Sequence, residues 1–93
     1  MGVIKITIRR KVKRVIDGDT FEVYRKIGNT NRVRLAGVKA PAKNQFGGRK
    51  ATNRLRGLIG GKTVTINPVG ISYNRVVAKV RHQRKSINTR LRR

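Results

Sequence analysis

The chain has 93 residues, which suffices for one domain and excludes a second, since a single core at this size buries only about two thirds of the unfolded surface. Lys and Arg number 25 against three acids, so the formal net charge is +22 and the isoelectric point lies near 12.0. Cysteine is absent, which excludes disulfides and thiolate–metal sites, and the lone His82 is a poor start for a metal centre.

Val3, Ile4, Ile6 and Ile8 interleave with Lys5, Thr7 and Arg9. This period-two pattern predicts a long, bent, half-buried strand continuing through Val12, Val15 and Ile16. The same alternation leaves residues 1–14 without the continuous apolar stretch of a secretory signal. Asp17-Gly18-Asp19-Thr20 supplies turn chemistry, with Asp accepting local N–H groups and Gly taking positive φ. Phe21, Val23 and Tyr24 open a second strand, and Gly28-Asn29 marks a tight hairpin into a third, Arg32-Val33-Arg34-Leu35.

From Phe46 the period changes. Ala51, Leu55, Leu58 and Ile59 fall on one helical face, Arg49, Asn53 and Arg56 on another, and Gly60-Gly61 closes the helix. Val64 and Ile66 alternate with Thr63 and Thr65 in a fourth strand that Pro68 and Gly70 are expected to end. Val76, Ala78 and Val80 mark a fifth, which carries His82 well away from the turn at Asp19. Residues 86–93 read either as one last helical turn or as a disordered basic tail. The order β-β-β-α-β-β predicts a mainly β fold: a five-stranded OB-type Greek-key barrel, one helix after the third strand, and a short C-terminal helix as an open option, in one domain over 1–93.

Such a charge balance selects a polyanion as partner, because each Lys or Arg placed near a phosphate releases condensed counterions without any reading of sequence. No segment suits a membrane span, and no long amphipathic helix with apolar anchors suits a membrane surface. Candidate phosphate contacts are Arg9, Arg10, Lys11, Lys13 and Arg14 on the first strand, Arg25 and Lys26 at the hairpin, Arg32 on the third strand, Arg49 and Arg56 on the helix, and Arg90, Arg92 and Arg93 in the tail. Of four aromatics, Phe21 and Phe46 are expected in the core or packing the helix, leaving Tyr24 and Tyr73 for base stacking. Duplex DNA, held by its backbone with little sequence specificity, is therefore favoured over RNA and single strands, and the expected location is the cytoplasm in association with the nucleoid.

Three blocks carry a resemblance: Val15-Ile16-Asp17-Gly18-Asp19-Thr20-Phe21, then Arg32-Val33-Arg34-Leu35-Ala36-Gly37-Val38-Lys39-Ala40-Pro41, then Phe46-Gly47-Gly48 opening the helix. Gly61-Lys62-Thr63-Val64, Tyr73-Asn74-Arg75-Val76-Val77-Ala78-Lys79-Val80 and Ile87-Asn88 follow in order. Together they resemble the staphylococcal-nuclease (thermonuclease) family over residues 13–91, with most of that family's C-terminal helical part unmatched. The resemblance implies an OB barrel with flanking helices and, in active members, calcium-dependent hydrolysis of DNA or RNA phosphodiesters. It makes Asp19 a metal-binding carboxylate, and Arg34 and Arg75 the two phosphate-stabilising arginines.

The other half of the implied site departs from the pattern. Where active members read Asp-Thr-Pro-Glu or Asp-Ala-Pro-Glu, this chain reads Lys39-Ala40-Pro41-Ala42, with Lys39 in place of the second metal carboxylate and Ala42 in place of the carboxylate associated with water activation. The expectation is thus a degenerate site that binds no metal or other cofactor, in a non-enzymatic DNA-binding protein of nucleoid or chromatin type. Lys39 is expected in the vacated cation position, paired with Asp19, with simple turn chemistry as the alternative role of Asp19. Arg34 and Arg75 form a phosphate clamp or pair with Asp17 or Asp19. Two other functions stay open: an RNA-binding or ribosome-associated protein, and a metal-dependent nuclease with residual activity. Sequence preference and oligomeric state have no signature in the chain.

Overall fold

A bulge bends the first strand and resets its alternation. The computed structural model of the protein describes residues 7–91. Strand β1 (Ile8–Asp17) turns both Val12 and Val15 inward although they stand three apart. Its register against strand β2 (Thr20–Ile27) shifts between Val12 and Arg14, which leaves Lys13 and Arg14 both outside. Val3, Ile4 and Ile6, the first half of the expected strand, lie outside the described residues, as do Arg92 and Arg93 of the expected tail.

Phe21 and Val23 of β2 enter the core, and Gly28 takes positive φ in the two-residue turn between Ile27 and Thr30 that leads into strand β3 (Thr30–Leu35). Helix α1 (Gly48–Ile59) follows and buries Leu55 and Ile59 in the barrel. Thr52 sits on the same face, its hydroxyl donating to the Gly48 carbonyl one turn back at 2.7 Å. Strand β4 (Thr63–Ser72) returns antiparallel to β1, and strand β5 (Arg75–His82) runs antiparallel to β4. The parallel pairing of β3 with β5, Val33 opposite Val76 and Leu35 opposite Ala78, closes the sheet into the five-stranded barrel that the element order predicts. Its interior is filled by Val12, Val15, Phe21, Val23, Val33, Leu35, Val64, Ile66, Val76, Ala78 and Val80.

Pro68 and Gly70 do not end β4 as expected. The strand passes through both, because a register shift against β5 between Pro68 and Gly70 accommodates a residue that lacks the N–H for a regular ladder. The C-terminal segment resolves into a two-residue strand β6 (Lys85–Ser86) on β5 and a short helix α2 (Ile87–Leu91), so the helical-turn option is the one adopted.

Asn88 pins α2 to the barrel. Its side chain is buried, its Oδ1 accepts the Val80 N–H at 2.7 Å, and its Nδ2 donates to the Ala36 carbonyl at 2.7 Å and the Ala78 carbonyl at 3.0 Å. One amide thus joins β5, α2 and the turn after β3. Asn88→Ala strips partners from buried backbone groups and is expected to cost about 2–4 kcal/mol. In thermal unfolding this reads as a fall of about 10–20 °C, and a change below about 0.5 kcal/mol, the size of an ordinary surface substitution, contradicts the assignment.

Candidate nucleic-acid interface

All three acids of the chain, Asp17, Asp19 and Glu22, lie within residues 17–22, on the β1–β2 hairpin. Glu22 points away from the core yet is only 5% exposed, because its register partners Arg14 on β1 and Arg32 on β3 fold over it. Arg14 grips the carboxylate with two donors, Nε at 2.9 Å and Nη2 at 3.3 Å, and Arg32 Nε adds a third at 3.4 Å. The Arg14 hydrogen bonds hold the Glu22 carboxyl below the usual carboxylate range against the opposing cost of burial, with Arg32 assisting. Both guanidinium groups stay largely in water, so the clamp presents two fixed cations on the outer face of three adjacent strands.

Asp19 occupies the turn itself. Its N–H donates to the Asp17 carboxylate at 3.1 Å, Thr20 Oγ1 donates to Asp19 Oδ1 at 2.8 Å, and Arg34 Nη2 stands 3.7 Å from Oδ2, inside ion-pair range but too far for a hydrogen bond. Burial pushes the Asp19 pKa up, the neighbouring Asp17 carboxyl pushes it further, and the Thr20 hydroxyl and Arg34 oppose them. Gly18 does not take the expected positive φ. Its need is for space: a Cβ there would stand 2.6 Å from the Ala51 Cβ of α1 and 2.7 Å from the Ala40 Cβ, so the turn packs between the helix and the 39–41 segment.

Arg34 faces Thr20 across the β2–β3 ladder, and its Nη1 and Nη2 donate to the Leu35 and Val38 carbonyls, each at 3.4 Å. Arg75 opens β5, and its Nε donates to the Ser72 carbonyl at 3.5 Å. Both arginines flank the paired, inward-facing Val33 and Val76, so they share the outer side of the β3–β5 seam. Arg75 makes no ion pair among the described residues.

The expected Lys39–Asp19 pair is not formed: among the described residues the ion-pair partner of Asp19 is Arg34. Register decides this, since Arg34 stands opposite Thr20, whereas Lys39 lies beyond the turn at Val38 with its side chain exposed. Ala42 is also exposed, its N–H donating to Gln45 Oε1 at 2.9 Å.

Arg9, Arg10, Lys11 and Arg25 surround the half-exposed Tyr24 in a shallow groove of about 390 Å³, where Arg10 is held by the Arg9 and Lys26 carbonyls at 3.0 and 3.4 Å. Lys13 and Lys26 are exposed on the same two strands, and Arg49 and Arg56 on α1 and Arg90 on α2 are exposed as well. A deeper cleft of about 430 Å³ opens between α1, the 39–41 segment and α2, adjoining the Asp19 turn through Gly18. It is lined by Lys39 and by Lys50 and Arg54, which the sequence reading passed over although their four-residue spacing puts them on one helical face. Phe46, expected in the core or against the helix, is instead fully exposed on the cleft's edge. The segment over 42–47 is a chain of turns with no β or helical period to foretell where a side chain points.

No family model matches the chain. An uncharacterized endonuclease of Escherichia coli O157:H7 is 44% identical over 59 residues, covering 63% of this chain and 38% of that protein. An uncharacterized endonuclease of Haemophilus influenzae is 35% identical over 79 residues, covering 84% of this chain and 44% of that protein. The probable endonuclease LCL3 of Clavispora lusitaniae is 36% identical over an alignment of 97 residues, covering 74% of this chain and 42% of that protein. The chain therefore spans well under half the length of each of these relatives, and it is similar to proteins that are all named endonucleases. Those names overturn the expectation of a protein that does no chemistry, which was drawn from Lys39 and Ala42 and from the scarcity of other acids and bases.

The Glu22 clamp makes stability depend on pH with a defined sign. A carboxyl held below its unfolded pKa contributes stability above that unfolded value and loses it as pH falls through the folded one. Glu22→Gln is therefore expected to lower stability by about 1 kcal/mol near neutral pH, the arginines being water-exposed. The difference between wild type and variant should shrink below about pH 4, under the ordinary Glu value. Asp19, with its raised pKa, contributes the opposite slope to both proteins and cancels in that difference. Urea titrations from pH 3 to pH 7 measure it, and a difference independent of pH contradicts the clamp.

Proposed function

We propose that this chain is a nuclease domain that holds a nucleic-acid backbone on its basic surface and hydrolyses a phosphodiester at the Asp19–Arg34 pair. The observation that carries the reading is the juxtaposition of a buried carboxylate of raised pKa with a guanidinium 3.7 Å away, at the β1–β2 turn of a chain whose relatives are named endonucleases. The resemblance of the 15–21 and 32–41 blocks to staphylococcal nuclease supports the same reading. Duplex DNA is the substrate that the basic outer strands suit, since backbone contacts alone hold it in place.

Calcium, which the resemblance implies, takes six to eight oxygen ligands. The hairpin offers two carboxylates, Asp17 and Asp19, Lys39 and Ala42 stand where the resemblance asks for two more, and no group of three or more His, Cys, Asp or Glu side chains is assembled among the described residues. This donor set does not fit a calcium cage built by the protein. The chain's own groups divide the work otherwise. Asp19 orients a water and accepts its proton as the oxygen attacks phosphorus, a task that its raised pKa suits, while the ester bond from phosphorus to the departing sugar oxygen breaks and that oxygen takes a proton from solvent water. Arg34, with Arg75 beside it on the seam, neutralises the charge that gathers on the phosphoryl oxygens.

Cleavage of supercoiled plasmid and of a labelled duplex tests this. Wild type is expected to produce nicked and linear products, and Asp19→Asn to slow their formation by about 100-fold or more. The rate should fall as pH drops through the elevated Asp19 pKa, since the base must be unprotonated. Products that form equally fast with Asp19→Asn, or no products from wild type with or without added magnesium, calcium or manganese, overturn the reading.

A further inference from the structure

The cleft between α1 and the 39–41 segment has a composition that the Asp19–Arg34 site does not explain. Its volume of about 430 Å³ is that of a small-ligand pocket. Lys39, Lys50 and Arg54 line it, and none of its lining residues is acidic. Arg54 is steadied there by a hydrogen bond from Nη2 to the Arg90 carbonyl at 3.0 Å, which leaves the other guanidinium donors to an incoming group. Phe46 stands at the edge with its whole ring in water, and Pro41 lies beneath the adjoining Gly47. A fully exposed Phe packs against none of the described residues, and beside three cations it offers a flat apolar face to a ring attached to phosphates.

From this the geometry points to a subsite for an unpaired nucleic-acid strand, with a base stacked on Phe46 and successive phosphates held by Lys50 and Arg54, one turn apart on α1. The assignment rests on the nucleic-acid reading above but not on hydrolysis. Gly18 forms part of the cleft wall and Asp19 is the next residue, so the subsite adjoins the turn that carries the Asp19–Arg34 pair. Duplex held on the outer strands and single strand held in the cleft then occupy different surfaces of one barrel. The shallow groove around Tyr24 lacks this depth, being open along two strands, and is suited to backbone contact alone.

The test measures binding without cleavage, so that failure of the cleft and failure of hydrolysis appear in separate assays. A phosphorothioate-linked, fluorescein-labelled oligodeoxythymidylate of eight residues and a phosphorothioate duplex serve as probes for the full chain. Phe46→Leu, which keeps an apolar side chain and alters no packing, is expected to weaken single-strand binding by about 5- to 150-fold, the range for one lost base stack. Duplex affinity should stay within about twofold. The double variant Lys50→Gln with Arg54→Gln is expected to lower the slope of log K against log salt for the single strand by about 1.4, two phosphate contacts' worth. An unchanged melting temperature for Phe46→Leu confirms that folding is intact. Unchanged single-strand affinity in Phe46→Leu overturns the subsite, and so does an equal loss for single strand and duplex.

Discussion

The Glu22 carboxylate is the point at which a chain of net charge +22 holds its first three strands together. Arg14 and Arg32 lie on β1 and β3, on either side of the same residue of β2, and two like charges converging there repel each other. A single buried anion between them, gripped by three N–H donors, turns that repulsion into a cross-strand tie. The consequence runs beyond the hairpin. With β3 fixed against β2, Arg34 comes opposite Thr20 and beside Asp19, and the parallel pairing of β3 with β5 brings Arg75 to the same side of the barrel. Glu22 and Asp19 hold arginines of the first three strands in place, and the cations they do not neutralise remain on the surface.

That division explains why composition alone pointed to a polyanion but not to a reaction. Charge reports what is attracted, whereas chemistry depends on where one carboxylate sits. Asp19 lies in a turn that packs against α1 through Gly18, with Asp17 beside it, and its raised pKa follows from burial rather than from any motif. The substitutions at Lys39 and Ala42 remove carboxylates from the implied site without removing this one. The names of the relatives, each an endonuclease, correct the inference that missing ligands mean missing activity.

The barrel was legible where side-chain period and burial coincide. Val64 with Ile66, and Val76 with Ala78 and Val80, alternate in the sequence and fill the core as expected. Legibility failed where a local irregularity changes the period: the bulge that puts Val12 and Val15 on one face, and the register shift that carries β4 past Pro68. Gly18 reads as a turn residue but is required by the approach of two methyl groups from distant segments, a constraint with no local signature. Of the candidate site, Asp19, Arg34 and Arg75 were named from the resemblance, while Phe46, Lys50 and Arg54 become a group only once α1 lies beside the 39–41 segment. Asn88 was noted as part of a block, yet its three hydrogen bonds join residues as far as 52 positions apart.

Hydrolysis at this site requires a nucleic-acid phosphate to seat between Asp19, Arg34 and Arg75 on the barrel. Titration of nitrogen-15-labelled protein with phosphorothioate DNA, followed by NMR, addresses it most directly because cleavage does not intervene. The backbone amides of Asp19, Thr20 and Arg34 and the Nε–H of Arg75 are expected among the signals shifted most. Saturation of the protein while those four signals stay in place would contradict it.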